Sequence, residues 1–278
     1  MIHGLPPHDP LLDALIAALE ARESVALLTV TAASGENAHA RGKRMLVWED
    51  GRRASVGNLG VNPGLSAQLL AATANAFSAG RPAMVVLGPE SSRVTSFIEV
   101  QTPPAHLIIC GAGHIAVPLA AMAHLCDFEV SVIDDRALYA SAERFPTADR
   151  VLAGDFRTEL AGLRNGRAVF DRRTCAVLVT RGHQHDVECL VELLDDPLPY
   201  IGMIGSRRRV RAVFDLLRSD HHLARERFSN IYAPVGLDIG AHTPAEIAVA
   251  IMGEIINVLR GGPGLSLRTA QPNPPQNG

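Results

Sequence analysis

Two glycines one residue apart, Gly111 and Gly113, close an apolar run, "LIIC", and open a stretch with helical spacing. Gly111-Ala112-Gly113-His114-Ile115-Ala116 fits the pattern G-x-G-x-x-G/A in the setting that gives it meaning, directly after a strand and at a helix start. Gly111 permits the tight turn, Gly113 lets a backbone amide approach a pyrophosphate, and Ala116 lets helix lie close to strand. The unpaired amides and the positive end of the helix dipole then receive an anion. Pro118 sits in the first helical turn, where its missing N–H costs little.

A second strand, "VSVID", ends in Asp134, Asp135 and Arg136, about 20 residues after the glycines, where a dinucleotide site places an acid on ribose hydroxyls. An acid there favours a 2′-hydroxyl over a 2′-phosphate, as in NAD. In "LVTRGHQHD" a strand ends at Thr180, and Arg181, Gly182, His183, His185 and Asp186 follow on the loop and at the next helix start. In an open parallel sheet these groups share the edge where ligands bind. They line a pocket, or Asp186 caps the helix; as metal ligands they lack a third and fourth partner in sequence. "YIGMIGSRRR" repeats the arrangement, with Gly205, Ser206 as cap, and Arg207, Arg208 and Arg209 in the first turn. Cations at a helix N-terminus oppose the dipole, so either an anion is bound nearby or surface carboxylates pair with them. Asp238, on the Gly-rich loop "APVGLDIGAH", is either a polar pocket residue or part of the loop and cap formed with Thr243 and Glu246. No Gly-x-Ser-x-Gly elbow, Walker loop or His-Glu-x-x-His is present, and no other residue reads as a nucleophile.

The elements that position these groups fall into two parts. From Leu107 onward strands ("LIIC", "EVSVID", "RVLAG", "CAVLVT", "YIGMIG") alternate with helices beginning near Ile115, around Gln184 and after Ser206, the mark of a Rossmann-like parallel sheet over 105–262. The last helix starts with Thr243 as cap, Pro244 and Glu246, and stops at Arg260 before two glycines. Residues 1–101 read as a smaller α+β domain. Its first helix starts at Asp9-Pro10, its strands run through "SVALLTVTAA", "KRMLVW", "PAMVVLG" and "VTSFIEV", and Asp50-Gly51 marks a hairpin. "QTPPAH" is the linker, because two prolines exclude helix and central strand. Residues 263–278, rich in Pro, Asn and Gln, are expected to be disordered.

A net charge of −3 with 47% hydrophobic and 20% charged residues gives no global attraction to nucleic acid or to an anionic membrane. No apolar run reaches the ~18 residues of a membrane helix, and "MIHGLPPHDP" has no signal-peptide pattern. The four cysteines, Cys110, Cys126, Cys175 and Cys189, form no Cys-x-x-Cys pair, which is the pattern of a reduced, cytoplasmic protein.

The stretches "GAGHIAVPLA", "VIDDR" with "ERFPTAD", "TRGHQHD", "YIGMIGSRRRV" and "PVGLDIGAHTPAEIAVAIMGEII" together resemble the XdhC/CoxI family of xanthine dehydrogenase accessory and carbon monoxide dehydrogenase maturation proteins. They cover residues 107 to about 257 in the family's order, and "ALLTVTAASGENAHARGKRMLVWEDGRRASVG" resembles its smaller domain more loosely. The resemblance implies a cofactor chaperone rather than an enzyme. Such a protein binds molybdenum cofactor (molybdopterin), assists its sulfuration, and delivers it to a molybdenum hydroxylase such as xanthine dehydrogenase, with a sulfurase as a further partner. Gly111, Gly113, His114, Asp134, Asp135, Arg181, His183, His185, Asp186, Ser206, Arg207, Arg208 and Asp238 match the family's motifs. Many members carry a Gly-Gly-Gly-Cys stretch where this chain reads "SVGNLGVNPG", with no cysteine before Cys110. A soft thiolate best holds molybdenum or transferred sulfur, so its absence favours a carrier or docking role. Cys110 is the nearby replacement, with core packing as its ordinary job. Two other readings remain, an NAD(H)-dependent oxidoreductase or sensor and a scaffold with a vestigial site. A homodimer is the base-rate expectation.

Overall fold

A computed structural model describes residues 9–51, 54–166, 170–220 and 225–270. The chain divides into two compact units, Met1–Pro103 and Pro104–Gly278.

In the first unit, α1 (Pro10–Glu20) begins where the Asp9 carboxylate accepts from the Leu11 amide, with Pro10 at the first helical position. Strands β1 (Val25–Ala33), β2 (Arg44–Trp48) and β3 (Val56–Gly57) follow, then α2 (Pro63–Ala79), β4 (Ala83–Leu87) and β5 (Val94–Gln101). They form one antiparallel sheet in the order β3-β2-β1-β5-β4. Strict alternation along β1 sends Ala26, Leu28 and Val30 to the face that packs Leu65, Leu69 and Ala76 of α2, while Val25 joins Leu11, Ala18, Leu46 and Trp48 under α1. Asp50 and Gly51 lie in the connection between the paired strands β2 and β3.

The second unit holds β6 (His106–Cys110), α3 (Ala116–Leu125), β7 (Glu129–Asp134), β8 (Arg150–Ala153), α4 (Phe156–Asn165), β9 (Thr174–Leu178), α5 (His183–Leu193), β10 (Tyr200–Met203), α6 (Arg207–Ser219), β11 (Ile231–Tyr232), α7 (Pro244–Arg260) and α8 (Leu267–Ala270). All six strands are parallel, in the order β11-β10-β9-β6-β7-β8. Numbered within the unit this is 6-5-4-1-2-3, the doubly wound dinucleotide-fold order, with its switch point between β6 and β9. Residues on β6 alternate between the two faces. Leu107 and Ile109 pack under α3 and α7, whereas Ile108 and Cys110 pack under α4, α5 and α6.

Four features differ from the expectation drawn from sequence. Helix α4 lies between β8 and β9, capped by Asp155 and buried through Phe156, Leu160 and Leu163, and β11 adds a sixth strand. Helix α5 starts at His183 with Gly182 in the cap position, so Asp186 lies inside the first turn and does not cap it. Of the C-terminal tail, Leu267–Ala270 is a short helix, and residues 271–278 lie outside the described residues.

Candidate functional site

The site is built on the turn from β6 into α3. Gly111 has φ +109°, and a Cβ there would meet the Val179 carbonyl oxygen at 2.6 Å, so the strand end presses directly against the end of β9. Gly113 lies outside the left-handed region, and a Cβ there would meet nothing within 4 Å. The two glycines therefore have different reasons: the first is demanded by packing, and the second leaves open space.

Ala112, between them, is held on both sides. Its amide donates to Asp134 Oδ2 at 2.7 Å, and its carbonyl accepts from Arg144 Nη1 at 2.8 Å. Fixing that peptide leaves the next three amides, of Gly113, His114 and Ile115, without an acceptor among the described residues. They precede a ten-residue helix whose dipole adds to their field. Arg144 also donates to the Tyr139 carbonyl at 2.8 Å, and neighbouring Phe145 is buried, which anchors the "ERFPTAD" loop against the turn.

Asp134, one of the two expected ribose acids, is only 2% exposed and already saturated. Besides Ala112 it accepts from the Arg136 amide at 3.0 Å, Arg136 Nε at 2.9 Å and Arg136 Nη2 at 3.0 Å. Burial opposes its ionisation, but the Arg136 side chain and the amides of Ala112 and Arg136 outweigh that and hold its carboxyl below the usual range. The Arg136 guanidinium in turn lies 3.7 Å from the centre of the Tyr139 ring. Asp134 thus positions the turn instead of presenting a free acceptor.

At the end of β9, the Thr180 hydroxyl donates to Asp186 Oδ1 at 2.6 Å, and Arg209 Nε donates to Asp186 Oδ2 at 2.9 Å. Asp186 is fully buried; burial pushes its carboxyl up, against the pull of Thr180 and Arg209. Gly205 makes room for this reach, because a Cβ there would meet the Arg209 stem at 3.1 Å. Ser206 caps α6 by accepting from the Arg209 amide. Arg181 extends the other way, its Nη2 donating to Asp135 Oδ2 at 2.6 Å.

The remaining candidates are spread out. Arg208 lines a cleft of about 590 Å³ with His183, Ser206 and Arg209, whereas Arg207 lines a separate cleft of about 560 Å³ with Arg211, Phe214, Phe228 and Pro234. The two guanidinium groups thus line different clefts beside α6. His185 packs on the Phe156 ring at 5.3 Å and faces Glu188 at 3.2 Å. Among the described residues no group of three His, Cys, Asp or Glu could hold a metal ion. Asp238 is exposed, on a loop tied down by Glu254, whose Oε2 accepts from Tyr200 Oη at 2.6 Å and from the Gly236 amide at 2.8 Å. Cys110 is buried with its thiol against Cys189, and burial pushes the Cys189 thiol well up, so Cys189 is not a ready thiolate. No helix among the described residues is long and apolar enough to cross a membrane. Reasoning from sequence missed Arg144 as part of the site, and it named Arg209 as one of three cations in a helix turn without finding its partner, Asp186. The first lies inside the "ERFPTAD" motif, where nothing local gives it a role, and the second stands one position past Arg207 and Arg208.

Comparison with known proteins agrees with this fold. The family described as "XdhC Rossmann domain" matches residues 107–255, and that described as "XdhC and CoxI family" matches residues 18–88. A probable xanthine dehydrogenase subunit of Bacillus subtilis is 37% identical over 160 residues, 58% of this chain and 44% of that protein. The uncharacterized protein YqeB of Escherichia coli is 31% identical over 179 residues, 64% of this chain and 32% of that protein. The chain thus spans less than half the length of either relative. A crystal structure described as a xanthine dehydrogenase from Bacillus halodurans, 22% identical, covers 90% of this chain and 96% of its own with a TM-score of 0.50, a likeness of fold.

Proposed function

The chain belongs to the XdhC and CoxI family, and from that premise we propose that it is an accessory protein of a xanthine dehydrogenase-like molybdenum hydroxylase, which carries molybdenum cofactor to that enzyme. The observation that supports this best is the run of three amides at Gly113–Ile115, unpaired among the described residues and held open by the Asp134 and Arg144 bonds to Ala112. The cargo is a pterin bearing a phosphate, and three such amides at a helix start fit a phosphate. The space over Gly113, which a side chain would fill, is where that phosphate lies.

The described residues offer the metal of the cargo no ligand cluster, and the thiols nearest the turn are buried. A carrier that grips its cargo by the phosphate and leaves the metal end to the receiving enzyme follows from that division. Sulfuration is then the work of a separate sulfurase, with this chain presenting the substrate.

Purified protein, denatured under oxidising conditions, is expected to release a fluorescent pterin, and the loaded protein is expected to restore activity to a cofactor-free xanthine dehydrogenase. Release of no pterin from protein made in cells that produce the cofactor, together with no transfer, would overturn the carrier reading.

A further inference from the structure

The ion pair between Arg181 and Asp135 has a position that the carrier reading does not use. In the sheet β6 lies between β7 and β9. Asp135 follows β7 and Arg181 follows β9, so their 2.6 Å contact crosses the end of the strand that leads into Gly111–Gly113. Neighbouring strands stand ~4.8 Å apart, so the bridge spans about 10 Å over the mouth of the crevice. The glycine turn, where the carrier reading puts a guest's phosphate, leaves the sheet from the strand between β7 and β9.

This pair differs in kind from the two beside it. Asp134 with Arg136 and Asp186 with Arg209 each have a carboxylate that is 3% exposed or less and several hydrogen bonds, so they are permanent parts of the scaffold. Arg181 is 47% exposed and Asp135 29%, and among the described residues Asp135 otherwise has only Arg136 Nε at 4.0 Å. An exposed pair of this kind is weakly held. A phosphate offers a guanidinium two parallel charge-assisted bonds in place of one.

We propose that Arg181–Asp135 is a displaceable latch over the glycine turn: a phosphomonoester guest draws Arg181 away from Asp135, and the competing Asp135 carboxylate makes the crevice select phosphomonoesters over the phosphodiester bridge of a dinucleotide. The charge difference drives the selection. A phosphomonoester carries about −1.5 to −2 at pH 7, enough to outbid a single carboxylate, whereas each phosphoryl group of a dinucleotide bridge carries one charge. A dinucleotide is handicapped a second time, because Asp134, one of the two acids at the end of β7 that could hold its ribose diol, is filled by Ala112 and Arg136. The inference rests on the glycine turn being the phosphate site, but not on the guest being a pterin.

The test uses AMP and NADH as probes, since they share adenosine and differ in the phosphate. Affinities are measured by calorimetry on the full chain and on the Asp135→Asn, Arg181→Gln and Arg181→Lys variants. The parent is expected to bind AMP more tightly than NADH. Asp135→Asn should tighten both about two- to fivefold, the scale of an exposed ion pair, with the larger gain for NADH. Arg181→Gln should weaken AMP roughly tenfold, and Arg181→Lys should recover part of that, since a lysine keeps the charge without the fork. The latch is overturned if Asp135→Asn leaves both affinities unchanged, if Arg181→Gln binds AMP like the parent, or if the parent prefers NADH or ignores AMP. Should Asp135→Asn unfold, Asp135→Ser, read in the same way, takes its place. A protein that releases no pterin yet shows these shifts loses its cargo assignment and keeps the latch; one that releases pterin without the shifts loses the latch alone.

Discussion

Substituting alanine at Gly111 and at Gly113 should separate what the two glycines do. At Gly111 the new Cβ would stand 2.6 Å from the Val179 carbonyl oxygen and 2.7 Å from its carbon, both backbone atoms of the neighbouring β9 connection, at a φ of +109°. The left-handed backbone costs about 1–3 kcal/mol for a residue with a side chain. Forcing apart two packed strand ends costs about 1–3 kcal/mol more. The sum, roughly 2–6 kcal/mol, lowers the melting temperature of a unit of this size by on the order of 10 °C. At Gly113 nothing lies within 4 Å of the added Cβ and the backbone is outside the left-handed region, so stability should stay within about 0.5 kcal/mol of the parent. The same methyl group blocks close approach of a phosphate to the amide and should cut bound pterin about tenfold, the equivalent of 1.4 kcal/mol. Thermal melts followed by circular dichroism, paired with pterin release, read both effects. A Gly111→Ala protein that melts like the parent, or a Gly113→Ala protein that keeps its full pterin load, would refute the reasoning.

The Asp186–Arg209 pair should break asymmetrically in urea titrations. Arg209→Leu strands a carboxylate with no exposure and should cost about 3–5 kcal/mol, whereas after Asp186→Ala the guanidinium, 27% exposed, can turn to water at smaller cost. For Asp134 the folded carboxyl is held below its ordinary value, so its stabilisation is complete above about pH 4, the unfolded value, and is lost as pH falls through the lowered one. The melting difference between the parent and Asp134→Asn should therefore be constant from neutral pH down to about pH 5 and shrink in stronger acid. Thr243→Ala removes the hydroxyl that accepts from the Glu246 amide in the capping box of α7, and should cost about 1 kcal/mol in the same melts.

The parallel sheet was legible because its strands are buried on both faces and read as short apolar runs between glycines, and the caps at Ser206 and Thr243 announce their helices. Helix α4 was missed although its signal is present: Asp155 as cap, then Phe156, Leu160 and Leu163 on one face. Ten residues with so few apolar positions give periodicity little to work on. The site divided in the same way. The glycines and the ends of β7 and β9 followed from local pattern and the switch-point rule. What each charge does depended on contacts between elements: Arg136 filling Asp134, Arg144 reaching the Ala112 carbonyl 32 positions away, and Arg209 finding Asp186 across two helices. The helical turn itself sends Arg207 and Arg208 to different clefts beside α6, since successive residues are rotated by about 100°.

The central claim is that the cargo's phosphate is held by the amides that follow Ala112. Hydrogen exchange of the chain with and without molybdenum cofactor tests it most directly. New protection is expected at Gly113, His114 and Ile115. Protection confined to the α6 clefts, with those three amides exchanging as fast as in the empty protein, would contradict it.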